Sequence, residues 1–265
     1  MKKSKMAIYC FSGTGNTLRI AQIYKNRLLE LGIENEIILL PNETPREIGT
    51  DISIMFPVYA QCPPPFVFKW IESLPEGKGQ KAVVISTYAS MSGLVAAPLK
   101  KILKKKGFCP VVVREIKMPH NFISQRFSKS NAKIISDAER EIAKFAEEVV
   151  GGKSTTKTYI PMSGILRQIA SFIFARIASF MGSKLYADKN LCSKCGLCSR
   201  LCPVGNITTK EGFPSWNHKC EQCLRCINFC PNSAVGTTFK MFAFIYYPKY
   251  ICPRTDSSDL LRKSQ

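Results

Sequence analysis

Between residues 1 and about 150 the chain alternates short, almost continuously apolar runs with stretches whose apolar positions recur every three or four residues. The runs at 5–11, 36–40, 51–56, 81–87 and 110–116 are rich in Ile and Val, the pattern of parallel strands buried on both faces. The segments 18–31, 65–74, 94–106 and 131–150 carry the helical period. In the first of them Ile20, Ile23, Tyr24, Leu28 and Leu31 share one face, and Gly32 follows as a stop. Gly107 and Gly151-Gly152 end the third and fourth in the same way. Five strands with intervening helices predict a doubly wound α/β domain over residues 1–150.

A polar linker over 151–158 leads into a predicted helix at 163–182. Ile165, Leu166, Ile169, Phe172, Ile173, Ile177 and Phe180 fall on one face, with Arg176 inside that arc. Ser163, Arg167, Gln168, Ser171 and Ser179 take the other. Two arginines and a polar stripe count against a membrane span. The apolar arc reads as a surface that packs two domains together, or alternatively as one that lies on a membrane. Linker and helix occupy 151–185, a cysteine-rich module 186–238, and a C-terminal extension 239–265. The basic, aromatic part of that extension, 239–250, is expected to pack on the cysteine module, membrane contact being the alternative.

The module contains one internal repeat. Cys192-Ser-Lys-Cys195-Gly-Leu-Cys198-Ser-Arg-Leu-Cys202-Pro203 returns 28 residues later as Cys220-Glu-Gln-Cys223-Leu-Arg-Cys226-Ile-Asn-Phe-Cys230-Pro231. Three cysteines at spacings of three wrap a tight turn around one iron–sulfur cubane, while the fourth, before proline, ligates the other cluster. This assigns Cys192, Cys195, Cys198 and Cys230 to one 4Fe–4S cluster and Cys220, Cys223, Cys226 and Cys202 to a second. A zinc site would use two separated Cys-x-x-Cys pairs and leave the third closely spaced thiolate without a role. Disulfides would need an oxidising compartment. Cys10, Cys62 and Cys109 lie on or near strands and loops of the α/β half and read as packing residues.

The first strand runs into Ser12-Gly13-Thr14-Gly15-Asn16-Thr17 and then a helix, an arrangement that offers amides and a positive dipole end to a phosphate. The loop has no lysine, so it is not a nucleoside-triphosphate loop. The third glycine of a dinucleotide fingerprint is missing, with Leu18 in its place. What remains is a loop of hydroxyls suited to a phosphate monoester, or else an ordinary turn capped by Thr14 or Asn16.

Charge adds a partner class. The chain has 38 Lys and Arg against 19 Asp and Glu, a formal net charge of +19. Such a surface favours an acidic redox partner protein or peripheral contact with an anionic membrane. No nucleic-acid-binding signature accompanies it, and nucleic acid is not expected. Six apolar residues before Ser12 are too few for a signal-peptide core. The expectation is therefore a cytoplasmic protein whose twelve cysteines serve metal and redox chemistry.

Taken together, Phe11-Ser-Gly-Thr-Gly-Asn-Thr17, Pro57-Val-Tyr59 and the paired Cys-x-x-Cys-x-x-Cys-x-x-x-Cys-Pro repeats resemble the flavodoxin–ferredoxin fusions. The resemblance implies a flavodoxin-like five-stranded parallel sheet of order 2-1-3-4-5, followed by a small α+β ferredoxin-like domain. It also implies FMN, with its phosphate on Ser12, Gly13, Thr14, Gly15, Asn16 and Thr17. The flavin ring would lie between Pro57, Val58 and Tyr59 on one side and Thr87, Tyr88 and Gly93 on the other, with Tyr59 or Tyr88 stacked on it. No catalytic residue stands out, and His120 and His218 read as surface or packing residues. The implied function is single-electron transfer between the two clusters and FMN. The alternative is a flavin-dependent reductase of a small molecule, fed by the clusters.

Overall fold

The computed structural model describes residues 5–41, 45–59, 62–90, 96–121, 129–153, 173, 176–238 and 249–261. Five parallel strands form its centre: β1 (Lys5–Cys10), β2 (Glu34–Leu39), β3 (Asp51–Pro57), β4 (Ala82–Tyr88) and β5 (Val111–Lys117). They lie in the order β2-β1-β3-β4-β5, as the resemblance implies, and the first helix connects β1 to β2. The helices are α1 (Asn16–Glu30), α2 (Pro65–Ser73), α3 (Ala96–Lys105) and α4 (Lys129–Val150). Gly32, Gly107 and Gly152, at φ of 80°, 83° and 68°, stop α1, α3 and α4 in the left-handed conformation that costs glycine least.

The two-residue period of each strand divides the core into two layers. Ile8, Cys10, Val83, Ile85, Val112 and Ile116 point to one side, against α1 and α4. Tyr9, Phe11, Ile54, Phe56, Val84 and Val113 point to the other, against α2 and α3. β2 departs from the expected fully buried strand, because it is an edge and its residues are mostly half-exposed. At the opposite edge Arg114 is buried in β5. Its guanidinium lies 4.2 Å from the centre of the Phe145 ring and donates to Glu148 at 2.6 Å. Cys10 and Cys62 are buried as expected, whereas Cys109 is exposed in the turn before β5.

The cysteine module is built on its own pseudo-two-fold axis. Strands β6 (Leu185–Ala187), β7 (Ile207–Lys210), β8 (Phe213–Trp216) and β9 (Val235–Thr237) pair antiparallel as β6 with β9 and β7 with β8. Short helices α5 (Leu197–Leu201) and α6 (Arg225–Asn228) follow the two cysteine turns. Met181, Leu185, Ile207, Trp216, Leu224, Ile227 and Val235 form the module's core. Of the predicted helix at 163–182 only residue 173 and those from 176 onward lie within the described residues, and 176–183 are helical. Within the described part Ala178 and Met181 are buried, while the arc residues Ile173, Ile177 and Phe180 are each about half-exposed. The approach is close: a Cβ on Gly182 would stand 2.1 Å from Cys220 Cβ. Among the described residues no helix is long and apolar enough to cross a membrane.

Phe145 ties α4 to α1 and β5 within one layer of the core, since it is fully buried, stacks near Tyr24 at 6.5 Å and carries Arg114 on its face. Phe145→Ala is expected to cost about 3–5 kcal/mol, seen as a lower urea midpoint for the α/β domain. A loss below about 1 kcal/mol would mean that α4 contributes little to the core.

Candidate functional site

The two cysteine turns are near copies in conformation as well as sequence. Lys194, Gly196 and Gly205 have φ of 58°, 68° and 60°, and their counterparts 28 residues later, Gln222, Leu224 and Ser233, have 52°, 61° and 52°. Alternating left-handed residues curl the chain so that successive amides point inward, a concavity that suits an anionic group. Amides already reach the sulfurs. Asn206 N donates to Cys202 Sγ at 3.2 Å, its counterpart Ala234 N to Cys230 Sγ at 3.3 Å, and Gln222 N to Cys220 Sγ at 3.4 Å.

Each turn closes on a cavity. Cys202, Cys220, Cys223 and Cys226 line one of about 20 Å³, and Cys192, Cys195, Cys198 and Cys230 line another of about 30 Å³. Three thiols come from one repeat and the fourth from the other, the crossed arrangement expected from the prolines. The donor set of four thiols with N–H groups aimed at sulfur fits a cubane cluster. Among the described residues no three His, Cys, Asp or Glu side chains converge on a single-ion site.

The cavities differ in setting. Cys195, Ser193 and Lys194 are exposed, whereas Cys202 is buried and the Cys220–Cys226 turn packs against the α/β domain. Burial pushes the Cys198 thiol up to about 11, Cys223 to about 11 and Cys220 to about 12, and raises Cys226 well above the usual thiol range. Thiols bind iron as thiolates, so cluster binding would release protons here. Burial also pushes the Glu221 carboxyl up to about 7, with the Phe66 amide and Lys69 pulling the other way.

The loop from Ser12 to Thr17 lies at the carboxyl end of β1, and every residue in it is buried. Ser12 Oγ accepts from Gly15 N at 3.2 Å and Thr14 Oγ1 from Asn121 Nδ2 at 3.1 Å, so each hydroxyl keeps its own hydrogen to donate. Thr17 Oγ1 and Thr87 Oγ1 are 2.7 Å apart. With the first amides of α1 and no acidic side chain in the loop, this donor set fits a phosphate monoester. Pro57 ends β3, Val58 N donates to Thr87 O at 2.8 Å, and Tyr88 ends β4 half-buried. Gly93 lies outside the described residues. Tyr59 turns its hydroxyl toward the loop, and burial raises that hydroxyl well above the usual range.

Several residues here had not been singled out from the sequence. Arg225 is fully buried and its guanidinium makes four hydrogen bonds, to Ser12 O at 3.0 and 2.7 Å and to Leu201 O and Leu260 O at 3.2 Å each. The C-terminal segment covers the loop: Cys252 N donates to Thr14 O at 2.8 Å, Tyr250 Oη to Asn16 Oδ1 at 2.7 Å, and Arg19 to Pro253 O at 3.1 Å. The signal for Arg225 was present in the repeat, where Leu197 holds the equivalent place. The covering segment gave no signal, because its contacts are mostly to backbone atoms that any sequence supplies.

Residues 185–208 match the 4Fe–4S binding domain family. Solved structures similar to this chain include a flavodoxin from the domain Archaea, at 16% identity over 56% of this chain and 99% of that one, with a TM-score of 0.39. A cysteine-to-serine variant of the flavodoxin from Pseudomonas aeruginosa is 18% identical over 56% of this chain and 99% of its own, with a TM-score of 0.41. A short-chain flavodoxin associated with a non-canonical PDU bacterial microcompartment is 15% identical over 58% and 100%, also at 0.41. No curated protein matches the chain. The architecture is a flavodoxin-like α/β domain joined to a 4Fe–4S module of the ferredoxin kind.

The join itself is tight. A Cβ added to Gly13 would stand 2.6 Å from Tyr59 Oη and 2.7 Å from Cys223 O. Gly13→Ala is expected to destabilise the protein by about 1–3 kcal/mol, read as a lower urea midpoint. Gly49→Ala, whose added Cβ meets nothing within 4 Å, should change it by less than about 0.5 kcal/mol. Equal effects would show that Gly13 does not limit the approach.

Proposed function

We propose that this protein is an electron-transfer iron–sulfur flavoprotein that passes single electrons between two 4Fe–4S clusters and an FMN. Cys192, Cys195, Cys198 and Cys230 hold the outer cluster, and Cys202, Cys220, Cys223 and Cys226 the inner one. The Ser12–Thr17 loop holds the flavin phosphate through the Ser12 and Thr14 hydroxyls and the amides at the start of α1. The observation that carries this reading is the contact between the two sites: the Cys223 carbonyl lies against Gly13, and Arg225, between two inner ligands, holds Ser12 O.

When bound, the clusters exchange one electron each and FMN takes one or two, so the pair joins one-electron carriers to two-electron chemistry. The chain orders these steps by exposure. The Cys195 turn is open to solvent, so an external carrier reaches the outer cavity first, and the inner cavity lies between it and the loop. The amides of Asn206, Ala234 and Gln222 stabilise negative charge on the ligand sulfurs. The segment 249–261 and Tyr59 pack over the loop, and hydrogen bonds from Cys252 and Tyr250 hold the Thr14 carbonyl and the Asn16 side chain in place.

An acidic carrier suits the outer face. Lys189, Lys194, Arg200 and Lys210 are exposed around the outer cavity, and Lys194 and Lys189 lean on the Phe213 ring at 4.3 and 5.6 Å. Attraction between opposite charges would speed the encounter and weaken with salt.

Protein purified without oxygen is expected to contain about eight irons and about one FMN per chain. Cys195→Ser and Cys223→Ser should each lose about half the iron. Eight irons with no flavin after addition of FMN would overturn the flavin half of the proposal, and four irons would overturn the second cluster.

A further inference from the structure

The two cavities are related by the 28-residue repeat, yet one has a buried cation that the other lacks. Arg225 follows Cys223 by two positions, and in the first repeat that place is held by Leu197. The guanidinium is buried, lies 5.1 Å from the centre of the Phe11 ring, and is held by three carbonyl oxygens. Among the described residues no carboxylate forms a salt bridge with it. Glu221, the acidic side chain within the same turn, accepts from the Phe66 amide beside Lys69; it also lies near Cys220 and Cys223, where its charge opposes that of Arg225. The cations near the outer cavity are of another kind: Lys194 is exposed, and Lys249, half-buried, donates to Cys230 O at 2.6 Å.

We propose that Arg225 sets the reduction potential of the inner cluster apart from that of the outer one, as a fixed positive charge between the inner ligands and the phosphate loop. This rests on the reading that the inner four cysteines hold a cluster. Reduction adds one electron from an external one-electron carrier and one negative charge to a cavity with little water. Burial alone opposes that added charge. A guanidinium in the same poorly screened surroundings, close enough to act on Cys223 and Cys202, favours it. Exposed Lys194 near the outer cluster is damped by salt, and half-buried Lys249 in part, so both do less. The hydrogen bonds fix the guanidinium by its planar fork, which an ammonium does not reproduce. The consequence is that the cluster nearer the loop is easier to reduce than its burial alone would leave it. Arg225 is thus a positioning and tuning residue rather than a catalytic one.

The test is an EPR-monitored titration of the full chain with both clusters in place, reduced with dithionite through mediators. Cys195→Ser changes the outer cluster's signal and identifies it. Arg225→Gln is expected to lower the reduction equilibrium constant of the inner cluster at least tenfold, about 59 mV for one electron, and to leave the outer one unchanged. Arg225→Lys should fall between the two. Equal shifts of both clusters, or no shift with iron content retained, would overturn the proposal. If Arg225→Gln does not assemble, the unaltered protein gives a second reading. Raising the salt should move the outer potential and leave the inner one fixed, and equal movement would overturn the proposal. The titration reads the clusters with or without FMN, so failure here leaves the flavin assignment standing. Absence of iron, by contrast, would remove the cluster reading itself.

Discussion

Arg225 places a full positive charge where water does not reach, and the rest of the molecule is arranged to make that tolerable. An unpaired buried ion is among the most costly things a fold can contain. Here the cost is offset by carbonyl dipoles from three separate parts of the chain: Ser12 in the phosphate loop, Leu201 at the end of α5 and Leu260 near the C-terminus. Those parts must come together for the guanidinium to be satisfied. One side chain therefore couples the α/β domain, the cysteine module and the C-terminal segment into a single packing problem. The same charge is well placed to balance an anionic cluster on one side and a phosphate on the other.

This coupling explains the tight fit around it. Glycines stand where two backbones meet: Gly13 lets the phosphate loop touch the Cys223 carbonyl, and Gly182 lets the 176–183 helix touch Cys220. The layer of the core that includes Ile8, Cys10 and Phe145 continues without a break into Leu201, Phe229, Tyr250 and Leu260. A module joined through a flexible tether would not fix its place against the α/β domain. Here the shared core and the buried arginine fix the Ser12–Thr17 loop against the Cys220–Cys226 turn.

Asymmetry between the repeats follows from the same contact. The two halves of the cysteine module share left-handed residues at three equivalent places, including Leu224 where the first copy has Gly196. A leucine in that conformation is strained, and its burial in the module core compensates. The second turn faces the α/β domain with Leu224 and the buried Arg225. In the first turn Ser193, Lys194 and Cys195 are exposed, while Leu197 packs at the edge of the α/β core.

The α/β domain and the grouping of the cysteines into two crossed sets were legible from the sequence because both rest on local regularities. Strand and helix periods are carried by consecutive residues, and the crossed grouping follows from a spacing and a proline. Ser12 to Thr17 could be read in the same way, as a hydroxyl-rich turn before a helix. The sequence misled where burial depends on a partner. Edge strand β2 looked as buried as the others, and of the apolar arc of the 163–182 helix the described members Ile173, Ile177 and Phe180 are half-exposed, while Ala178, Met181 and Gly182 are buried. Arg225 and the cover of Tyr250 and Cys252 over the loop were decided by tertiary structure alone. Arg225 and Cys252 reach the Ser12 and Thr14 carbonyls more than 200 residues away, and backbone groups leave no mark on the side-chain pattern from which a sequence is read.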